Sequence, residues 1–281
     1  MSNIAVIGII GNSVFLPVEK FHEGGETVEA LSLHFEPGGK GFNQAVAAKR
    51  CGADVSFLAA VGREYRKEFA DFLDNEDIKH TLVFKDESTA FAAIVTDRSG
   101  NNHVTVYQGA QLSPTDVYLF EDSIKDADIL LLNNEVSEDV NVEAIKIAKK
   151  HGVKCILNPA PARRTSSYII DNVELFTPNE HELLGIEDKK NVLVTLGAKG
   201  CLIKSTNESI PGTSFGDAVD TTGAGDTFNG VLTAMLTRGY TLAESAKIAN
   251  TVAALGVTRK HAVSSIPTVD EIKEIIRDIS L

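Results

Sequence analysis

Residues 220–229 read Asp-Thr-Thr-Gly-Ala-Gly-Asp-Thr-Phe-Asn, a spacing suited to holding a phosphate beside a carboxylate. Gly223, Ala224 and Gly225 stand just ahead of Phe228, Val231, Leu232, Met235 and Leu236. Apolar residues recurring at three and four predict a helix that begins near Gly223. A helix start presents free N–H groups and the positive end of the dipole, and both attract an anion. Asp226 falls in that first turn. A carboxylate beside a phosphate is electrostatically unwelcome unless it has a task, such as accepting the proton of an attacking hydroxyl. The plainer reading of the same residues is a glycine-rich turn whose aspartate stabilises a helix start.

Gly38-Gly39-Lys40-Gly41-Phe42-Asn43-Gln44 is a second glycine-rich turn that feeds a helix. Its glycines permit close backbone approach to a ligand, and Lys40 and Asn43 can hydrogen-bond hydroxyls. As plain structure it is a tight loop with Asn43 bonding near a helix end. It lacks the GxxxxGK[ST] spacing of a phosphate-binding loop, so ATP is not assigned here. Thr177-Pro178-Asn179-Glu180-His181-Glu182 follows a strand ending at Phe176, and open α/β sheets place ligands at such strand ends. Asn179 and Glu182 read either as an approximate helix capping box or as groups near phosphates, with Glu182 organising hydrated Mg²⁺. The seven histidines show no zinc-type spacing.

Elements that alternate along the chain must position these motifs. Val/Ile-rich Ile4–Ile10, Val55–Val61, Ile129–Leu132, Val153–Leu157, Leu175–Phe176 and Val192–Leu196 read as strands. Lys40–Cys51, Glu64–Asn75, Asn141–Lys150 and Glu180–Leu184 read as helices between them. Strands separated by helices imply βαβ units around a mostly parallel sheet. A polar hairpin region follows at Cys201–Ile210, then helices over 223–237, 242–255 and 268–279. Residues 12–36 and 81–107 are instead rich in Thr, Val and Phe and alternate as antiparallel strands, with Arg98–Asn102 as a turn. They read as a small β-lid inserted between the first core strands. A lid edge of this kind pairs readily with a second copy, so a homodimer through the lid is expected.

At 281 residues the chain can bury a large core, and 43% hydrophobic with 23% charged residues is ordinary for a soluble globular protein. A net charge of −12 argues against nucleic acid or an anionic membrane as the main partner. No apolar run approaches the roughly 18 residues that span a bilayer. The N-terminal MSNIAVIGIIG lacks a basic leader and reads as a first strand. Cys51, Cys155 and Cys201 are far apart in apolar surroundings, as expected of small buried hydrophobes in a reducing cytoplasm.

Asn3–Gly8, PGGKGFNQAVAAKRCGA (37–53), NPAPAR (158–163), TPNEHE (177–182), VTLGAKG (194–200), DTTGAGDTFNG (220–230) and VTRK (257–260) occur in this order. Together they resemble the ribokinase branch of the PfkB carbohydrate kinases over essentially the whole chain. The resemblance implies one ribokinase-like domain over residues 1–281, a doubly wound α/β core with a β-sheet lid. It also implies phosphoryl transfer from MgATP to a sugar hydroxyl. Asp226 matches the family's catalytic base, and Gly223, Ala224 and Gly225 its anion hole. Gly39, Lys40, Asn43 and Glu135 match sugar-contacting positions. Asn179 and Glu182 match the phosphate and magnesium motif, Thr195, Gly197 and Gly200 the nucleotide loop, and Asn250 a position near the adenine. Asp220, Thr222 and Ser265 match positions near a monovalent cation, K⁺ in this family.

Three departures matter. Where the family carries Asn-x-Asp for sugar hydroxyls, this chain has Gly11, Asn12 and Ser13. The lost carboxylate is an acceptor worth about 1.5–3 kcal/mol, and Asn12 is the amide left to replace it. Only LLGIEDKKN separates Glu182 from Val192, where the family inserts a longer helix. His261 stands in place of a family glycine near the cation position. A sugar kinase acting on ribose or a close relative is the leading expectation. A nucleoside or hydroxymethyl-heterocycle kinase on the same fold, or a catalytically silent sugar sensor, remain alternatives.

Overall fold

The computed structural model describes residues 2–98 and 101–279. Strand β1 (Asn3–Ile7) is followed by β2 (Gly11–Pro17), β3 (His34–Gly38), helix α1 (Lys40–Arg50), β4 (Asp54–Val61), α2 (Arg66–Asn75) and β5 (Lys79–Phe84). Next come β6 (Ala90–Thr96), β7 (Asn102–Tyr107), α3 (Glu121–Lys125), β8 (Ile129–Asn133), α4 (Glu138–His151), β9 (Lys154–Asn158), α5 (Ser167–Asn172) and β10 (Leu175–Phe176). The chain ends with β11 (Leu193–Thr195), β12 (Gly200–Ile203), β13 (Glu208–Pro211), α6 (Ala224–Thr237), α7 (Leu242–Gly256) and α8 (Val269–Ile279).

Side-chain alternation decides the layering. Along β1, Ile4 and Val6 join a core with α1, α2, α6, α7 and α8. Ala5 and Ile7 join a second core with α3, α4 and α5. A strand buried on both faces must be apolar throughout and covered by helices on both sides. Six strands pair in parallel in the order β10-β9-β8-β1-β4-β5, a doubly wound α/β sheet whose edge strand β5 is only partly covered. Beyond β10 the antiparallel β11–β13 sheet is joined through the bridges Phe176–Val192 and Asn179–Thr195.

A separate four-stranded sheet, β3-β2-β6-β7, forms the lid. It consists of two antiparallel pairs, β2 with β3 and β6 with β7, joined by a parallel pairing of β2 with β6. The parallel seam differs from the all-antiparallel expectation. Residues 81–84 also belong elsewhere. Thr81–Phe84 pair with Leu58–Val61 along the edge of the core sheet, so the second lid segment begins at Ala90. Both stretches are β-prone, and only the partner strand distinguishes them. Of the expected turn at Arg98–Asn102, Ser99 and Gly100 lie outside the described residues. The strand expected over Ile4–Ile10 ends at Ile7; at Gly8, where a β-carbon would lie 2.6 Å from the Gly41 Cα, the chain passes close against α1.

The lid sits on the loop that follows α7. Phe15 and Ile94 pack against Ala262. The buried Glu36 carboxylate accepts hydrogen bonds from the amides of Ala262, Val263 and Ser264 at 2.8, 3.1 and 3.2 Å.

Candidate active site

Close helix packing builds the centre of the site. Gly41 through Ala48 of α1 are buried without a break. At the crossing with α6, a β-carbon on Gly230 would stand 2.3 Å from the Gln44 carbonyl oxygen. Glycine therefore lets the two helices approach closely enough for side chains near their N-termini to meet. Asn43 donates through Nδ2 to Asp226 Oδ2 at 3.0 Å, and Gln44 through Nε2 to Asp226 Oδ1 at 3.3 Å. Asp226 is only 6% exposed and occupies the first turn of α6. Gly223, with φ 78°, is the N-terminal cap, and Ala224 begins the helix. A β-carbon on Gly225 would meet nothing within 4 Å, so the protein's own packing does not demand this glycine.

Lys40 and Glu135 complete this group. The Lys40 amide donates to Glu135 Oε2 at 2.7 Å, and the Glu135 amide donates to Asn133 Oδ1 at 3.0 Å at the end of β8. The Asp226 carboxylate raises the Lys40 pKa, with Glu135 and Glu182 adding to it against burial. Burial pushes Glu135 up to about 7, opposed by Lys40 and reinforced by Asp226. Asn12, Gly39 and Glu135 line one cleft between lid and core, together with Phe91, Val106 and Gln108. Gly39 adopts φ 118°, with its backbone against the Ile9 carbonyl. The buried Asn43 Oδ1 has no hydrogen-bond partner.

The helix expected at Glu180–Leu184 does not form; Glu180 and His181 are in a turn. Asn179 Oδ1 accepts from the His181 amide at 2.8 Å, and the Glu182 amide donates to the Asn179 carbonyl at 3.1 Å. Gly185, at φ 86°, then redirects the chain before a second helical turn can develop. Half of the expected capping exchange survives without a helix. Glu182 accepts from the Asn179 amide and from its Nδ2, both at 2.9 Å. Thr195 lies beside this turn, donating its amide to Pro178 O at 2.8 Å. Gly197 is exposed at φ 58° with open space at its β-carbon position. Gly200 differs: a β-carbon there would lie 2.1 Å from the Ile210 carbonyl oxygen, so the β12–β13 pairing already demands it. Asn250 on α7 donates to Cys201 Sγ at 3.7 Å.

Asp220, Thr222 and Ser265 lie in the two loops flanking the start of α6. Asp220 accepts from the Thr222 and His261 amides, each at 2.9 Å, and Ser265 Oγ donates to Ala262 O at 2.7 Å. Thr222 Oγ1 is buried and unpartnered. These donors are all oxygens, which suits a weakly hydrated monovalent cation. His261 keeps the left-handed backbone of a glycine, φ 73°, and stacks on His34 at 3.9 Å. Among the described residues no group of three or more His, Cys, Asp or Glu is arranged to hold a metal. Glu182, held by the amide and Nδ2 of Asn179, offers the carboxylate oxygens that suit a hard cation keeping its waters.

Four residues were not singled out from the sequence: Gln44, which donates to Asp226, Asn158 and Asn229, which bond Gln44 and the Gly225 carbonyl, and Glu36, which ties the lid to the 262–264 loop. The available signal was polarity out of place: Asn43 and Gln44 interrupt an otherwise apolar buried helix.

A family profile described as pfkB family carbohydrate kinase matches residues 1–269. Ribokinase from Haemophilus influenzae is 35% identical over 302 residues, covering 97% of this chain and 98% of that protein. Deoxyribokinase from Salmonella typhimurium is 32% identical, covering 98% of both. The solved structure of ribokinase from Giardia lamblia superposes with a TM-score of 0.88 at 26% identity, covering 99% of each chain. Shared sequence along nearly the full length and a shared doubly wound core with its lid lead to one conclusion: the chain belongs to the pfkB family of carbohydrate kinases.

Proposed function

We propose that this ATP-dependent kinase transfers the terminal phosphoryl group of ATP to a hydroxymethyl group of a pentose or related sugar, with Asp226 as general base. One observation carries the reading: a buried carboxylate stands in the first turn of α6, with amide donors on both oxygens. The Gly223 and Gly225 amides at this helix start would stabilise a transferring phosphoryl; the Ala224 amide, expected to join them, is already given to the Thr221 carbonyl at 3.2 Å. Asn43 Oδ1, buried without a partner, is suited to accept a sugar hydroxyl. Asn12, Gly39, Lys40 and Glu135 complete the sugar subsite. Asn179, Thr195, Gly197, Gly200 and Asn250 form the nucleotide side.

When bound, Mg²⁺ neutralises phosphate charge, and Glu182 is the carboxylate that would hold it through water. Asp220, Thr222 and Ser265 would hold K⁺. Ser13, at the position of the family aspartate, is buried and offers a hydroxyl rather than a carboxylate. Ribose, or a relative with fewer hydroxyls such as deoxyribose, is the proposed acceptor. Phe91 and Val106 in the cleft support a second acceptor class, a nucleoside or hydroxymethyl heterocycle whose ring would stack there. A silent sensor has no need of so carefully held a carboxylate. Leu33 and Phe35 on the lid are 59% and 60% exposed, and a second copy through this sheet would cover them. Three free buried cysteines fit a cytoplasmic protein, and no described helix is long and apolar enough to cross a membrane.

Asp226→Asn should lower turnover by about 10²–10⁴ while ATP binding, followed by calorimetry, is kept. Near-normal turnover would contradict the assignment. An ATP-consumption screen over pentoses, deoxyribose, hexoses and nucleosides, with and without K⁺, identifies the acceptor.

A further inference from the structure

Asp226 is held by a path of buried side chains to which no role has yet been given. Gln44 donates through Nε2 both to Asp226 Oδ1 at 3.3 Å and to Asn158 Oδ1 at 3.2 Å. Asn158, at the end of β9, donates through Nδ2 to the Thr177 carbonyl at 2.9 Å. The Thr177 hydroxyl donates to Asn229 Oδ1, and Asn229 Nδ2 donates to the Gly225 carbonyl at 2.8 Å. The path therefore leaves the carboxylate and returns to the residue beside it. Gln44, Asn158, Thr177 and Asn229 are each at most 5% exposed, so water does not substitute for these partners.

Hydrogen-bond direction fixes every member. A backbone carbonyl only accepts, so the Thr177 carbonyl obliges Asn158 to present its NH₂ group there. Asn158 Oδ1 then faces Gln44 and can only accept. Gln44 must answer with its own NH₂ group, whose second N–H falls on Asp226. The Gly225 carbonyl orients Asn229 in the same manner. Two backbone acceptors thus dictate which way the amides point. Asp226 receives an N–H on each oxygen, and charge-assisted hydrogen bonds of this kind hold a carboxylate firmly.

We propose that Gln44 and Asn158 are positioning residues for phosphoryl transfer. Through their enforced amide orientation they fix the Asp226 carboxylate in place, leaving its remaining lone pairs to the acceptor hydroxyl. The proposal rests on the reading of Asp226 as base. Two other charged groups act in this neighbourhood, Lys40 from α1 and Glu135 from the segment after β8. Both are left in place by the substitutions below.

The test is steady-state kinetics with the acceptor and with ATP, in the parent, Gln44→Met, Asn158→Leu and Asp226→Asn proteins. Gln44→Met should lower kcat about tenfold to a hundredfold, with KM for both substrates changed by less than about twofold. Asn158→Leu should lower kcat by a smaller factor, since Gln44 is then free to turn its amide. A role limited to packing would lower the melting temperature and leave kcat of the folded protein unchanged. Folded variants with an unchanged kcat, beside an inactive Asp226→Asn, overturn this proposal alone. An active Asp226→Asn overturns the base reading and this proposal with it. Should Gln44→Met fail to fold, the kcat of Asn158→Leu decides.

Discussion

Gly225→Ala should make the protein more stable and less active. Gly225 lies within α6, and a β-carbon there meets nothing within 4 Å. Alanine is preferred to glycine in a helix by about 0.5–1 kcal/mol, and no clash opposes that gain. For a chain of this size the melting temperature should rise by about 1–4 °C. The new methyl, however, occupies space in front of the amides proposed to stabilise the phosphoryl. Losing one hydrogen bond to a charged group there removes about 1.5–3 kcal/mol, or roughly a tenfold to hundredfold fall in kcat. Gly223→Ala is the contrast. At φ 78°, with a β-carbon 3.3 Å from Ala262, it should lose about 1–2 kcal/mol of stability from the left-handed backbone alone. Melting by fluorimetry and turnover by coupled ADP release measure both quantities. A Gly225→Ala protein that is stabilised yet fully active would refute the anion-hole reasoning.

Glu135→Gln tests the half-buried cleft carboxyl whose folded pKa, about 7, lies above the ordinary 4.5. Its penalty on the fold is absent below pH 4.5, grows as pH rises and is complete above about 7. The melting-temperature advantage of Glu135→Gln should therefore open across that window, and a gap independent of pH would count against the shift. Glu36→Ala strands the 262–264 amides and should lose about 3 kcal/mol in urea unfolding; a loss below about 0.5 kcal/mol would show that the clamp is unimportant. Phe35→Glu should give a monomer by sedimentation if the lid sheet joins two copies, and an unchanged mass would rule that surface out.

Much of this architecture was legible in residue patterns because burial imposes them. The α6 boundary followed from Gly223 and the apolar spacing behind it, and the structure caps the helix at that residue. The parallel core was readable because strands buried on both faces must be apolar throughout. The failures occur where local preference was equal and a distant partner decided. Thr81–Phe84 suited lid and core alike until β4 claimed them. Residues 180–184 had helical composition, but Asn179 and Gly185 close the segment into turns. At the site, Asn43 and Asp226 were found through their motifs. The amides connecting Asp226 to Thr177 were not, since Gln44 meets Asn158 and Asp226 across 114 and 182 positions with no motif to link them.

The parallel seam between β2 and β6 joins segments nearly eighty residues apart. Closing so long a span is entropically unfavourable until β1, β4 and β5 have already brought the two ends together. The lid therefore belongs to the final stage of assembly and is first to come apart under stress. Its strands borrow their alignment from a finished core, so they would not keep it as an isolated fragment.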